Sequence, residues 1–220
     1  MNKGNLMLSK TNQAYEYIKE GLKSGRWTFG DQISVVEIAN ELGFSRRPVI
    51  DALKKLEAEY FLEIIPQTGC RVKSYSQDEM FDHFLTVMAL EGMAAYLAAQ
   101  RREDHEVNEL ISINEQLRRV IQENFSKEKY FQENRRLHYV ILQMSRSKKL
   151  LDMTQSQWDL NDFFLVNVSL FQQDLSRTII EHEMIIEKIA KKDPVGARTL
   201  MENHIQTFAS LVKKNPDVHH

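Results

Sequence analysis

Residues 25–72 decide the fold of the first third of the chain, and they read GRWTFGDQISVVEIANELGFSRRPVIDALKKLEAEYFLEIIPQTGCRV. Ser34 is followed three residues later by Glu37, a spacing that predicts a capping box at the start of a helix. Apolar residues at helical spacing continue until Gly43, where that helix should end.

A further helix should begin directly after this glycine, because Ser45 can cap it and apolar residues then recur on one of its faces. Its other face carries polar and basic residues together with one isoleucine: Arg46, Arg47, Ile50, Lys54 and Lys55. Two short helices joined by a glycine-containing turn, the second opening with paired arginines, have the layout of a helix-turn-helix. A preceding helix over residues 11–23 completes a three-helix unit.

Two short β-prone runs follow, at residues 61–65 and 70–73, around a turn at residues 66–69. A hairpin after a helix-turn-helix predicts the winged form of this fold. Gly69 and Arg71 at the tip of the wing could approach a DNA backbone closely, since glycine has no side chain in the way. The alternative is a small three-helix domain with a hairpin and a solvated basic face.

The charge distribution predicts two domains, at residues 1–75 and 76–220. The net charge of the 220 residues is −2, but residues 1–75 hold eleven Lys and Arg against nine Asp and Glu, while the remainder is acidic and holds all seven histidines. A composition of 42% hydrophobic and 27% charged residues excludes disorder and fibrous repeats. With no apolar run long enough for a membrane span, no secretory signal and one cysteine, Cys70, we expect a cytoplasmic protein.

The second part shows helical periodicity and no strand signal, so we predict an all-α antiparallel bundle. The fold class is therefore mainly α, a winged helix-turn-helix followed by a helical bundle. The expected helices cover residues 76–101, 103–124, 126–145, 149–170, 175–192 and 194–214.

The first part resembles the winged-helix domain of GntR-type bacterial transcription regulators. The matching residues include the Gly30-Asp31 turn, the Leu42-Gly43 and Ser45-Arg46 junction, Pro48-Val49 and Gly69. The resemblance implies binding to double-stranded operator DNA through Ser45, Arg46, Arg47, Ile50, Lys54, Gly69 and Arg71. Family members often carry arginine where this chain has Val36 and Ile50, so we expect an operator different from the usual one.

The second part resembles the ligand-binding (FCD-type) domain of the FadR-like branch of this family, through LEGMAAYLAAQR at residues 90–101 and EHEMIIEKIAKKDPVGARTLMENH at residues 181–204. In that branch the domain often binds a metal through an aspartate and three histidines. The matching positions here are Asn134, His138, His182 and His204, so the aspartate is replaced by asparagine. The alternative is that each histidine only fills the core or the surface.

Three neutral imidazoles suit Zn or Ni best and leave coordination positions open for a small molecule. Because Asn134 can offer only a neutral carbonyl oxygen, we expect weaker metal binding than in the aspartate version. The branch often holds a carboxylate with an arginine four residues before Glu91, where this chain has Val87. Arg135 and Glu91 are the candidate effector-binding residues.

These inferences together predict a homodimeric, ligand-responsive transcription regulator with no membrane association. Repression is the commoner outcome in the family and is adopted by analogy. The alternative is a metal-dependent enzyme that uses the three-histidine site, with the first domain as an accessory. No nucleophile motif or phosphate-binding glycine loop supports that alternative. For Cys70 we expect packing rather than redox sensing, since only Arg71 beside it could lower the pKa of its thiol.

Overall fold

A computed structural model describes residues 9–66, 69–123, 125–167 and 175–214 of the chain. Within these ranges it contains nine α-helices and three short β-strands. The described residues form two compact units. One contains residues up to 75 together with 162–167, and the other contains 76–161 together with the described residues from 175 onward.

The first unit is a winged helix-turn-helix, as the sequence predicts. Its elements in chain order are α1 (Lys10–Ser24), β1 (Gln32–Ile33), α2 (Val35–Leu42), α3 (Arg46–Ala58), β2 (Leu62–Ile65) and β3 (Gly69–Val72). The core of this unit is formed where α1 and α3 pack through fully buried side chains such as Ile18, Leu22 and Leu56. Residues 67 and 68, in the predicted wing turn, lie outside the described residues.

The helix ends follow the local signals in the sequence. The Ser34 side chain accepts the backbone N–H of Glu37, which supplies the serine half of the predicted capping box. Gly43 ends α2 with a φ of 65°, a left-handed conformation that favours glycine. Ser45 occupies the N-cap position of α3 but makes no side-chain capping hydrogen bond, contrary to the expected cap. Its hydroxyl therefore does not stabilise the helix end.

The sheet has three antiparallel strands in the order β1-β3-β2, so the predicted hairpin gains one strand. β1 pairs Ile33 with Cys70 of β3, while Glu63 of β2 lies opposite Arg71. β1 was absent from the sequence prediction because two residues are too few to show an alternating pattern. Its pairing covers the edge of β3 that the hairpin leaves open.

The second unit consists of helices in its described residues, as predicted. They are α4 (Gln77–Arg101), α5 (Asp104–Gln122), α6 (Lys127–Met144), α7 (Lys148–Asn167), whose last six residues group with the first unit, α8 (Ser176–Ala190) and α9 (Pro194–Lys214). Each observed end lies within a few residues of its predicted position. The predicted extensions to residue 124 and over residues 168–170 lie outside the described residues.

Capping explains where the first and last helices of the bundle begin. Ser76 and Glu79 form a complete capping box at α4, and the Asp193 carboxylate accepts the backbone N–H of Gly196 at the start of α9. The two helices pack along each other through alanines and larger side chains, including the fully buried Ala95 and Met201. No helix in the described ranges is long and apolar enough to cross a membrane.

Candidate functional site

The predicted DNA-contacting residues share one property in the structure, which is exposure. All seven are solvent-exposed, along α3 and its N-cap or on the wing: Ser45, Arg46, Arg47, Ile50, Lys54, Gly69 and Arg71. The Arg47 guanidinium donates to Asp51 at 3.1 Å, one helical turn further along α3, and Arg71 donates to Glu63 across the hairpin at 2.9 Å. Exposed ion pairs of this kind contribute little to stability, so both arginines can exchange their carboxylate for a phosphate.

The two departures from the family pattern are also exposed. Val36 in α2 and Ile50 in α3 are 43% and 37% exposed, although apolar side chains are usually buried. An exposed isoleucine on this face of α3 cannot accept or donate a hydrogen bond to a base, but it can pack against a thymine methyl group.

Three buried histidines meet inside the second unit. His138 lies on α6, His182 on α8 and His204 on α9, and each is at most 4% exposed. One nitrogen from each ring can be chosen so that all three lie within 4.8 Å of one another. This spacing allows a single ion to contact all three rings, so the cluster can hold a metal ion.

The Nδ1 atom of His138 is held by a carboxylate on α4. Glu91 is buried, and its Oε2 atom makes a hydrogen bond with His138 Nδ1. The indole Nε1 of Trp158 donates to the other oxygen, Oε1, at 2.8 Å. Burial on its own raises the pKa of Glu91, but the charge and hydrogen bond of His138 and the hydrogen bond of Trp158 hold it below its usual value. The carboxylate is therefore ionised at neutral pH, and it accepts the His138 Nδ1 proton.

The Nδ1 atom of His182 is held by an amide on α5. Asn114 donates its Nδ2 hydrogen to the backbone carbonyl of Ile179 at 3.2 Å, which directs its Oδ1 atom to His182 Nδ1 at 3.3 Å. An amide oxygen only accepts, so His182 must carry its proton on Nδ1. The lone pair is then on Nε2, which is the tautomer that a metal requires at that atom.

The Nδ1 atom of His204 is held by Glu181 of α8, at 2.7 Å from its Oε2 atom. Arg177, one turn before Glu181, donates to the other carboxylate oxygen at 2.7 Å. Burial alone raises the pKa of Glu181, but the hydrogen bonds and charges of His204 and Arg177 leave it below the usual value. All three rings thus engage an acceptor through Nδ1 and keep Nε2 for another partner.

Two polar atoms, one on His182 and one on the residue a turn before His138, lack the partner that burial demands. Within the described part of the chain, His182 Nε2 and Asn134 Oδ1 are buried without a hydrogen bond. Asn134 lies on α6 one turn before His138, so the two side chains share a helix face. Buried acceptors without a donor are costly unless something else binds them, and both atoms are acceptors that bind metals. The residues present therefore fit a metal ion.

The protonation states also suit a metal. Burial, and then the neighbouring charges of His204 and His138, lower the pKa of His182 well below its usual value. Burial likewise lowers the pKa of His204, although its hydrogen bond with Glu181 acts in the opposite direction. Both rings are neutral at pH 7, and neutral imidazole is the form that coordinates metals.

The two candidate effector residues have partners in the structure. Arg135 on α6 donates to Asp159 of α7 at 2.8 Å, and Glu91 contacts His138 and Trp158 as described above. Val87, which stands where the branch often has an arginine, is fully buried on α4.

Sequence reasoning missed two residues at the site, Asn114 and Trp158, and the role of a third, Glu181. Asn114 carried a signal, because it interrupts the buried stripe of α5 between Leu110 and Leu117. Adjacent residues on a helix point in different directions, and the Glu181 side chain reaches His204 on the following helix rather than its neighbour His182. Such contacts between helices follow from packing and have no counterpart in sequence spacing.

Cys70 lies in β3 and is buried, 4% exposed. Burial, followed by the nearby charge of Glu57, raises the pKa of its thiol to about 11. Since the thiolate is the reactive form, these surroundings support packing as its role.

A winged helix-turn-helix followed by a helical domain with a buried polar site defines a DNA-binding regulator with a sensing domain. Residues 10–72 match the model of the bacterial regulatory proteins of the gntR family, and residues 82–207 match that of the FCD domain. The chain belongs to the GntR family of transcription regulators, and its second part is the FCD domain, the effector-binding domain of such proteins. A metal-dependent enzyme is not supported, because the family and the relatives are transcription regulators.

Individual relatives agree with this assignment. The chain is 22% identical over 187 residues to the uncharacterized HTH-type transcriptional regulator YdhC of Bacillus subtilis (strain 168), covering 84% of this chain and 83% of that protein. It is 22% identical over 208 residues to the HTH-type transcriptional repressor GlaR of Escherichia coli (strain K12), covering 91% and 94%.

Solved structures show the same fold. E. coli McbR/YncC matches with a TM-score of 0.78 at 23% identity, covering 94% of this chain and 98% of the other. A putative GntR regulator from Rhodococcus sp. RHA1 matches with a TM-score of 0.74 at 13% identity, covering 93% and 98%.

Proposed function

We propose that the protein is a homodimeric, cytoplasmic repressor whose affinity for operator DNA is controlled by a small molecule bound beside a divalent metal ion in the FCD domain. The observation that carries this proposal is the meeting of His138, His182 and His204 with their Nδ1 atoms all engaged. Because each Nδ1 atom is engaged, the Nε2 atom of each ring is the one that can bind a shared metal ion.

The metal would be held by these three histidines and by the Oδ1 atom of Asn134, and Zn or Ni is the ion that the donor set suits best. When bound, such an ion supplies open coordination positions for oxygen atoms of the effector. A carboxylate is the effector class that we favour, and Arg135 is the residue that we propose to bind it, because both oxygens of the ionised Glu91 already accept from His138 and Trp158. Arg135 would have to leave Asp159 in order to bind it.

Dimerisation follows from the small basic surface of one winged helix. A few exposed cations neutralise few phosphates, so a single unit would bind DNA weakly and with little sequence selection. Two units placed on successive major-groove half-sites would add their contacts. GlaR, which the chain resembles along most of its length, is named a repressor, and repression is proposed here by analogy.

The experiment combines metal analysis with DNA binding. The purified full-length chain is analysed for bound metals and retained small molecules, and its binding to the DNA upstream of its own gene is measured by gel shift against random DNA. We expect Zn or Ni near one ion per chain and selective binding of the upstream DNA. Equal binding to both DNAs would contradict the proposal that the protein recognises an operator. Protein that is purified without metal and does not bind added Zn or Ni would contradict the proposed metal site.

A further inference from the structure

The proposed metal site has an unusual charge. All four proposed ligands are neutral, because they are three imidazoles and the amide of Asn134. A divalent cation in a buried site is costly without anions close to it. Asn134 stands where the family pattern has an anionic ligand, so any anion that offsets the charge of the ion must lie outside the four ligands.

Two carboxylates lie directly behind the histidines. Glu91 touches His138, and Glu181 touches His204, each through the Nδ1 atom of the ring. Glu91 is 3% exposed, so water screens its charge very little. Glu181 shares its charge with Arg177 and has a side chain that is 19% exposed.

Building on the proposed function for the presence of the metal, we propose that Glu91 and Glu181 are positioning residues that supply, from behind the ligands, the negative charge that Asn134 does not supply. A carboxylate that accepts the Nδ1 proton orients the ring and makes Nε2 a stronger donor to the metal. The site thus keeps its anions but places them one imidazole ring away from the ion.

The third histidine provides an internal comparison. His182 has the neutral Asn114 behind it, so its ring is oriented without added charge. The negative charge of the carboxylates should therefore strengthen metal binding through His138 and His204. This effect should be larger for Glu91, because its charge is buried and has no arginine beside it in the contacts described above. Glu91→Gln should weaken metal binding more than Glu181→Gln.

The experiment measures the Zn²⁺ dissociation constant of the full-length chain by competition with a chromophoric chelator. Glutamine keeps the size and one acceptor oxygen of glutamate and removes the charge. Glu91→Gln should bind Zn²⁺ about 10- to 100-fold more weakly than wild type, and Glu181→Gln should lose less. The matched control is Glu106→Gln, which also removes a buried carboxylate of the second unit, one bonded to Arg146 and the Glu103 backbone. Its dissociation constant should equal that of wild type.

A rescue variant separates charge from mere packing. Asn134→Asp returns the anion to the ligand set, so it should raise the affinity more in the Glu91→Gln variant than in wild type, whereas a packing defect would leave the gain equal in the two proteins. The visible absorption of the Co²⁺-loaded proteins and the melting temperatures of the metal-free proteins show whether the histidine set and the fold persist. If Glu91→Gln does not fold, the affinity gain from Asn134→Asp is compared between wild type and Glu181→Gln instead.

The outcomes distinguish this inference from the proposed function. If wild type binds Zn²⁺ and both glutamine variants bind it with the wild-type affinity, the inference is overturned and the metal site still stands. An affinity gain from Asn134→Asp that is the same in wild type and in Glu91→Gln would also overturn it, because the carboxylates would then act through packing. Failure of wild type itself to bind Zn²⁺ would overturn the metal part of the proposed function and this inference with it.

Discussion

Recognition of the operator base sequence by α3 should depend more on Arg46 than on any other residue. Arg46 lies exposed in the first turn of this helix, the turn whose side chains reach base edges in helix-turn-helix proteins. A bidentate contact from arginine to guanine contributes about 1–3 kcal/mol of discrimination. Arg46→Ala should therefore weaken operator binding by that amount and bring it closer to binding of random DNA.

Lys54→Ala is the comparison for this variant. Lys54 lies further along the exposed face of α3, where we expect a lysine to contact phosphate rather than bases. Its loss should weaken binding to all sequences alike and reduce the salt dependence of the affinity. Fluorescence anisotropy with operator and random duplexes at several salt concentrations measures both effects. Equal losses on the two duplexes for Arg46→Ala would show that Arg46 does not read bases.

Cys70 should be nearly inert in the folded protein. A raised pKa means that less thiolate is present at any given pH, and with a value of about 11 the thiolate at pH 8 is about one part in a thousand. Alkylation of the native protein at pH 8 should be much slower than alkylation of the urea-unfolded protein, and it should accelerate as the pH rises toward 11. Equal rates in the two states at pH 8 would contradict the burial of this thiol.

The turn between α2 and α3 depends on Gly43. Its φ of 65° is a conformation that costs about 1–2 kcal/mol for residues with a Cβ, while an added Cβ would meet no atom within 4 Å. Gly43→Ala should therefore lower the free energy of unfolding through backbone strain alone. Urea denaturation measures this loss, and Gly43→Asn is the matched control because asparagine tolerates the left-handed region better. A larger loss for asparagine than for alanine would contradict this reason.

The proposed metal would connect three helices, α6, α8 and α9. A ligand that binds only the folded protein stabilises it by about 2.7 kcal/mol at a hundredfold excess over its dissociation constant. Added Zn²⁺ should thus raise the melting temperature of the metal-stripped protein. Acidification should reverse the gain, since only neutral imidazole binds the ion. The comparison with His182→Ala and His204→Ala by calorimetric titration is decisive, because equally weak binding in all three proteins would mean that the histidines are not a site.

The proposed dimer determines how long a stretch of operator DNA the protein covers. Sedimentation should give a mass about twice the 25.8 kDa of one chain. Footprinting of the operator should show two half-sites separated by about one helical turn, because each winged helix enters one major groove. A monomer that protects a single half-site with full affinity would contradict the dimer.

Much of the winged helix could be predicted because its signals are local. Gly43 and the capping residue Ser34 act on their own turns, and the apolar spacing of α3 defines its buried face without reference to other elements. β1 escaped prediction because a two-residue strand exists only through its partner β3. The missing capping bond of Ser45 likewise depends on side-chain conformation rather than on residue type.

A winged helix followed by a helical domain, the family and the three histidine positions could all be predicted from the chain alone, since these depend on periodicity and on motif positions. That His138, His182 and His204 meet, and that Glu91, Asn114 and Glu181 lie behind them, is visible only in the packed fold. The physical reason is that these contacts join residues on five helices. Their distances depend on how the helices pack, which no spacing along one helix records.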